Sequence, residues 1–259
     1  MKILVTNDDG ISAEGLWVLV RELTNIAKVV VVAPHSEQSG IGTAVTLRQP
    51  LRAQKVRPVV PEVETYSVEG TPSDSVILAL SKLVKSEIDL VVSGINPGPN
   101  LGDNVLVSGT VGAALQGYLH GLPALAISMN GADSLYLDSA AKLVVLLAKK
   151  IGSNTLPRDI FLNVNLPNLP LAKIRGAEIT QLANESHIDT VEEGHDARQK
   201  YFWLVRQKAN KDAVEKSDVW AIEQGNISIT PLHTCLFGKP PLPILDSLCF
   251  DLLQELQQY

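Results

Sequence analysis

Residues 1–10, MKILVTNDDG, carry an apolar run that ends abruptly in two adjacent carboxylates. Lys2 to Val5 predict a short buried strand, and the Asn, Asp and Gly that follow are typical of a turn between a strand and a helix. The side chains of Asp8 and Asp9 carry like charges a few Å apart, which repel each other unless a positive charge lies beside them. The stretch therefore indicates either a simple turn or a cation site at the end of a strand.

The alternation of strand and helix continues from this point through the first two thirds of the chain. Continuous Val, Ile and Leu runs are typical of strands covered on both faces, and the segments between them have helical spacing of apolar residues. This rhythm predicts a three-layer α/β/α, Rossmann-like fold with a mostly parallel sheet between two layers of helices. The predicted strands are 2–5, 28–33, 88–93, 124–129 and 159–166, and the predicted helices are 13–26, 72–83, 110–120 and 136–150.

The character of the sequence changes after about residue 174, where polar stretches surround short aromatic segments such as YFWLV (201–205). An amphipathic tail, ILDSLCFDLLQELQQY, follows Pro243. We interpret residues 1–182 as the α/β/α domain and residues 183–259 as a C-terminal arm made of a hairpin and a helix. Exposed apolar segments of this kind favour an arm that joins subunits in a homodimer or homotetramer. Packing of the arm on its own domain is the alternative.

Composition excludes several classes of function. A formal net charge of −6 argues against sequence-independent binding of a nucleic-acid polymer, which needs basic surface. No apolar run approaches the roughly 20 residues of a membrane span, and no signal peptide precedes the first strand. Cys235 and Cys249 are too few and too far from a CxxC spacing to indicate a disulfide framework or a zinc site. We therefore expect a cytoplasmic protein that does not act on a membrane.

Three polar loops follow predicted strands: TNDDG, APHSEQSG (33–40) and SGINPGPNLGDNVLVSGT (93–110). In a doubly wound sheet, ligands bind beyond the carboxyl ends of the strands, near the point where the strand order reverses. The loops supply hard oxygen donors, which a divalent cation such as Mg²⁺ prefers, from Asp8, Asp9, Ser39 and Asn96. Each of these residues alone is also an ordinary turn residue. Their shared position favours the cation site.

Ser108, Gly109 and Thr110 stand directly before a predicted helix of small residues. Free backbone N–H groups and the positive end of a helix dipole at such a position suit a phosphate group, although an ordinary N-cap has the same sequence. Neither GxGxxG after the first strand nor GxxxxGK[ST] nor GxSxG occurs. Dinucleotide-binding, P-loop and hydrolase-elbow chemistry therefore lack their signatures.

These loops resemble those of the SurE family of metal-dependent nucleotidases, the survival-protein phosphatases. The resemblance rests on segments that occur in the family's order and cover most of the chain: MKILVTNDDGISAEGL, VVAPHSEQSGIG, VEGTPSDSVILAL, DLVVSGINPGPNLGDNVLVSGTVGAALQG, NVNLP and ISITPL. It implies hydrolysis of nucleoside 5′- and 3′-monophosphates with one divalent metal ion per subunit, Mg²⁺ or Mn²⁺, and a role in stationary-phase survival. The family's metal ligands fall on Asp8, Asp9, Ser39 and Asn96 of this chain.

The resemblance and the residues together predict a phosphomonoesterase. We expect Asp8, Asp9 and Asn96 to act in catalysis by holding a metal ion whose bound water attacks phosphorus. We expect Ser108, Gly109 and Thr110, with Gly40, to bind the phosphate oxygens. Two alternatives remain: a nucleotide-binding sensor without turnover, and a non-catalytic assembly protein that uses its C-terminal arm. Phosphate release that is lost with EDTA discriminates both from the enzyme.

Overall fold

The computed structural model describes residues 1–131, 136–184, 187–195, 199–208 and 213–233. Within them, no helix has the length and apolar character needed to cross a membrane. The strands are Lys2–Thr6 (β1), Lys28–Pro34 (β2), Arg52–Lys55 (β3), Glu64–Glu69 (β4), Leu90–Pro97 (β5), Ala124–Asn130 (β6), Phe161–Pro167 (β7), Ala177–Ile179 (β8), His187–His195 (β9), Lys200–Lys208 (β10) and Ile227–Pro231 (β11). The α-helices are Glu14–Thr24 (α1), Pro72–Leu78 (α2), Gly109–Leu119 (α3), Leu137–Gly152 (α4) and Asp218–Glu223 (α5).

Nine of these strands form one sheet, in the order β3-β4-β2-β1-β5-β6-β7-β11-β8. The strands from β4 to β7 are parallel to one another, whereas β3 and β11 run antiparallel to β4 and β7. The chain moves outward from β1 through β2 to β4, and then returns to place β5 on the other side of β1. The strand order therefore reverses between β1 and β5, which makes this the switch point of the sheet.

Helices cover both faces of the sheet. Ile3 and Val5 of β1 pack in the core cluster that contains residues of α1 and α4, and Leu4 packs in the cluster that contains residues of α2 and α3. A strand that is buried on both faces needs apolar residues at consecutive positions, which explains the unbroken apolar runs in the sequence. The predicted three-layer α/β/α fold with a mostly parallel sheet is confirmed.

Two strands at one edge of the sheet were not predicted from the sequence. β3, with the sequence RAQK, is exposed at every position and has no apolar pattern that would mark it as a strand. β4, with the sequence ETYSVE, alternates partly exposed and buried residues only over its first half. β3 is the edge strand and makes few buried contacts, so its sequence carries a weak hydrophobic signal. β4 lies between β3 and β2, and its signal is weak because the buried residues include the polar Thr65 and Ser67.

The segment after residue 182 does not lie apart from the sheet along its whole length. β9 and β10 form a separate antiparallel hairpin, but the chain then forms α5 and returns to the sheet as β11, between β7 and β8. The predicted division into residues 1–182 and 183–259 thus separates β11 in sequence from strands that it joins in space. The tail that was predicted to be helical, residues 244–259, lies outside the described residues.

Candidate active site

A cavity of about 580 Å³ opens at the carboxyl ends of the strands on both sides of the switch point. Asp8 follows β1, Ser39 and Gly40 follow β2, and Asn96 lies at the end of β5. Because these three strands are parallel neighbours, their carboxyl ends meet at one edge of the sheet. Five of the residues predicted from the sequence line the cavity: Asp8, Ser39, Gly40, Asn96 and Ser108. The other three, Asp9, Gly109 and Thr110, are not among its lining residues.

Asp8 and Asp9 are acids with little access to water and no basic partner among the described residues. Asp8 is 5% exposed, and burial raises its pKa. The pKa of Asp9 rises from 3.8 to about 7, first because of burial and then because of the charges of Asp8 and Glu37. The Oδ2 atom of Asp9 is buried and makes no hydrogen bond with any described residue. This arrangement is unfavourable for two carboxylates unless a cation joins them.

The oxygen atoms around this pair fit a hard divalent cation. Asn96 donates from Nδ2 to the Gly98 carbonyl over 2.7 Å, which leaves its Oδ1 as the amide's acceptor. Ser39 donates from Oγ to Glu37 over 2.6 Å, which leaves the lone pairs of its oxygen. Nowhere in the described ranges do three His, Cys, Asp or Glu side chains come together as a metal cluster. A cation here therefore requires the mixed carboxylate, hydroxyl and amide set, which suits Mg²⁺ or Mn²⁺.

The start of α3 packs directly on Asp8. A Cβ atom at Gly109 would lie 2.8 Å from the Cβ of Asp8, so no larger residue fits there without movement. Thr110 is fully buried and donates its hydroxyl to Oδ1 of Asp8, and its N–H also lowers the pKa of Asp8. Ser108 caps the helix by accepting the N–H of Val111 over 3.1 Å. Thr110 thus contacts a predicted metal ligand, whereas the sequence indicated a contact with phosphate.

Thr110→Val should therefore weaken metal binding. The substitution keeps the shape but removes the hydroxyl that donates to Asp8, and loss of such a supporting partner typically lowers metal affinity 10- to 100-fold. We expect calorimetry with Mn²⁺ and no nucleotide to give a dissociation constant about tenfold higher or more. Thr110→Ser retains the hydroxyl and is the matched control. Unchanged Mn²⁺ affinity in Thr110→Val, together with lost turnover, would return Thr110 to the phosphate role predicted from the sequence.

A buried amide network fixes the loop that connects β5 to α3. Asn165 accepts the backbone N–H of Asn100 over 2.8 Å, and the side-chain amides of Asn163 and Asn165 donate to the Asn100 carbonyl over 2.8 and 3.0 Å. The Asn100 side chain donates to Ser128 over 2.8 Å. Asn163, Asn165 and Ser128 are fully buried. These residues were not predicted from the sequence, although two asparagines at alternate positions in the apolar strand FLNVNLP are a signal of a buried polar contact.

The cavity also has a wall that the sequence analysis did not predict. Val219, Ile222 and Glu223 of α5 line it, although α5 follows the hairpin and was assigned to the arm. No local pattern in the sequence indicates this contact, because α5 reaches the cavity only through the return of the chain to the sheet. The remaining lining residues are the last residues of β5 and β6 and residues of the loop between β5 and α3: Pro97, Asn130, Gly98, Pro99, Asn100, Leu101, Asn104 and Val107.

Comparison with known proteins points to one family. The family model described as survival protein SurE matches residues 3–189. A relative from Dehalococcoides mccartyi named 5'-nucleotidase SurE is 53% identical over 249 residues, which are 95% of this chain and 94% of the relative. A relative of the same name from Legionella pneumophila is 44% identical over 234 residues, 90% of this chain and 91% of the relative. The crystal structure of a SurE protein from Aquifex aeolicus matches with a TM-score of 0.77 and 34% identity, covering 92% of this chain and 95% of that one.

Proposed function

The chain belongs to the SurE survival protein family, and from this membership we infer that it is a nucleotidase that releases phosphate from nucleoside 5′-monophosphates. Relatives 44% and 53% identical over most of this chain are named 5'-nucleotidase. The observation that carries the proposal is the cavity at the switch point. It is large enough for a nucleotide, and it is bordered by a buried carboxylate. We propose the same activity on 3′-monophosphates.

Family membership implies dependence on a divalent metal ion. We propose one Mg²⁺ or Mn²⁺ per subunit, and the residues proposed to hold it are Asp8, Asp9, Ser39 and Asn96. The unpartnered Oδ2 of Asp9 and the raised pKa of both carboxyl groups support this proposal, because a cation stabilises their charged forms. When bound, such an ion polarises a phosphoryl oxygen and lowers the pKa of a bound water.

We propose that the phosphate group lies against Ser108, Gly109 and Gly40. The Ser108 oxygen accepts the N–H of Val111, so its own hydrogen remains for donation to a phosphate oxygen. Gly40 adopts a φ of +72°, and a Cβ there would have no atom within 4 Å, so the backbone at Gly40 is open to a ligand. Thr110 acts in this scheme through Asp8, which its hydroxyl holds in place.

Turnover of a nucleoside monophosphate tests the proposal. Phosphate release from AMP and from 3′-AMP should require Mn²⁺ or Mg²⁺ and should stop when EDTA is added. A sensor that retains metal and nucleotide without turnover predicts binding of AMP but no phosphate release. An assembly protein predicts neither. Either of these results would remove the enzyme from consideration.

We propose that the hairpin formed by β9 and β10 joins subunits into a homodimer or homotetramer. Phe202, Trp203 and Leu204 are 61%, 65% and 82% exposed on this two-stranded sheet. A two-stranded hairpin is at best marginally stable alone in water, and exposed aromatic patches are typical of interfaces. A second copy of the chain is the partner that we propose. The cytoplasmic location and the absence of nucleic-acid and membrane partners remain predictions.

Substitutions in the hairpin should lower the mass of the assembly. Phe202→Ser combined with Leu204→Lys places a hydroxyl and a charge in the proposed interface, where a desolvated unpaired charge is strongly unfavourable. Light scattering on the full chain should give a smaller particle than wild type. Leu47→Lys changes a residue that is 87% exposed outside the hairpin and is the control. The same mass for wild type and the double variant would contradict the proposed interface. Truncation at residue 182 is unsuitable because it also removes β11.

A further inference from the structure

We propose that the wall of the cavity formed by α5 and Leu101 is the subsite for the nucleoside, and that it sets how well the base of the substrate is held. The inference rests on the nucleotidase function proposed above. It assigns a binding role to Val219, Ile222 and Glu223, residues that the sequence places beyond the hairpin.

The size and composition of the cavity support this assignment. A metal ion and a phosphate group occupy only a small part of about 580 Å³. The predicted metal and phosphate residues that line the cavity are all polar or glycine, whereas Val219, Ile222 and Leu101 present apolar side chains to the same space. Ligand sites typically combine a few convergent polar groups with apolar walls that accept the flat or apolar part of the ligand. In a nucleoside monophosphate, that part is the base.

Glu223 adds an acceptor beside the apolar wall. It lies on the same short helix as Val219 and Ile222 and also lines the cavity. Nucleosides carry hydrogen-bond donors on the ribose hydroxyls and on the base, and a carboxylate accepts from either. A phosphate group is an anion that the Glu223 carboxylate repels, so the wall beside Glu223 suits the neutral nucleoside better than the phosphate.

One buried carboxylate fixes the wall to the loop that connects β5 to α3. Asp218 is fully buried and accepts the N–H of Gly102 over 2.7 Å, and the N–H groups of Ala183 and Val219 over 2.9 Å each. Gly102 lies in the loop that carries Asn100, Leu101 and Ser108. Asp218 is therefore a positioning residue that holds α5, the loop that carries Ser108 and the segment at Ala183 in one arrangement. A site of fixed shape reduces the cost of ordering its walls around a ligand.

The test compares two substrates that differ only by the base. Val219→Trp should fill the subsite and lower the ratio of kcat/KM for AMP to kcat/KM for ribose 5-phosphate by about tenfold or more, the range that changes in an apolar pocket produce. The control is Gln224→Trp, which places the same side chain on the residue directly after α5, a residue that does not line the cavity. This variant should keep the wild-type ratio. Circular dichroism and melting temperature establish that both variants are folded.

Binding of adenosine gives a second measure that needs no turnover. Calorimetry should show adenosine bound by wild type and Gln224→Trp, with affinity about tenfold lower or more in Glu223→Ala and in Val219→Trp. An unchanged substrate ratio and unchanged adenosine affinity in both variants would overturn the subsite. If wild type hydrolyses no phosphomonoester at all, the proposed nucleotidase function fails, while the adenosine measurement still decides whether α5 binds a nucleoside.

Discussion

Asp8→Asn should lower kcat/KM for nucleoside monophosphates by more than about 100-fold, because even supporting partners of metal ligands cost 10- to 100-fold when removed. The carboxylate of Asp8 borders the cavity and accepts a hydrogen bond from the Thr110 hydroxyl, which fixes its position. Asn keeps the shape and one oxygen but loses the charge that attracts a divalent cation. Steady-state phosphate release with AMP and saturating Mn²⁺ measures the effect.

The matched control is Asp138→Asn, the same chemical change at an exposed position on α4. It should retain wild-type activity. Calorimetry with Mn²⁺ separates two causes of lost turnover, since a metal ligand predicts weaker metal binding as well as slower hydrolysis. Activity of Asp8→Asn within a few-fold of wild type would make NDDG a turn between β1 and α1 and would remove Asp8 from the proposed metal site.

Asp9→Asn should stabilise the metal-free protein. The pKa of Asp9 is about 7 in the folded protein, compared with 3.8 for the free group, so its charged form is unfavourable in the folded state. A tenfold change in proton affinity corresponds to about 1.4 kcal/mol. Removing this charge should therefore raise the free energy of unfolding at pH 8 by up to about 4 kcal/mol relative to wild type. Thermal or urea unfolding in EDTA at pH 8 measures the difference between the variant and wild type.

The pH dependence follows from the same shift. A carboxyl group whose folded pKa is raised binds more protons in the folded than in the unfolded state between the two pKa values, so stability falls as the pH rises. The contribution of protonated Asp9 is complete below about pH 4 and is lost as the pH approaches 7. The advantage of Asp9→Asn in EDTA should therefore be small at pH 4 and grow up to about pH 7.

Metal should offset most of this difference. A ligand that binds only the folded state stabilises it by about 2.7 kcal/mol at one hundred times its dissociation constant, and the variant would lose most of this. With millimolar Mn²⁺, wild type should gain in melting temperature and Asp9→Asn should gain little. Equal stability of the two proteins in EDTA across this pH range, with no response to Mn²⁺, is the outcome expected if the pair only shapes a turn.

Much of the fold and part of the site could be predicted from the sequence because buried segments have a recognisable local pattern of apolar residues. Runs such as VVVVA (29–33) in β2 and ALAI (124–127) in β6 are apolar at every position because helices cover both faces of the sheet. The polar loops after β1, β2 and β5 were predicted to meet because parallel strands bring their carboxyl ends to one edge. Asp8, Ser39, Gly40, Asn96 and Ser108 do line one cavity.

The role of Thr110 illustrates where local pattern stops being sufficient. A threonine after Ser-Gly at a helix start indicates a cap or a phosphate contact. The neighbouring sequence does not indicate any other hydrogen-bond partner for its hydroxyl. Its hydroxyl in fact reaches Asp8, which is 102 residues away along the chain. The edge strand β3 was missed because its residues are exposed, and β4 was missed because its buried residues include the polar Thr65 and Ser67.

The sequence by itself determined the layered α/β/α architecture, the family and the loops that carry the acids, because each depends on residue types within short segments. Only the tertiary structure decided which polar groups pair and what completes the cavity. α5 lines the site because β11 inserts between β7 and β8, and Asp218 then binds Gly102 across 116 residues of sequence. Such contacts depend on the path of the whole chain. Hydrophobic periodicity indicates that a segment is buried, but it does not indicate which distant segment covers it.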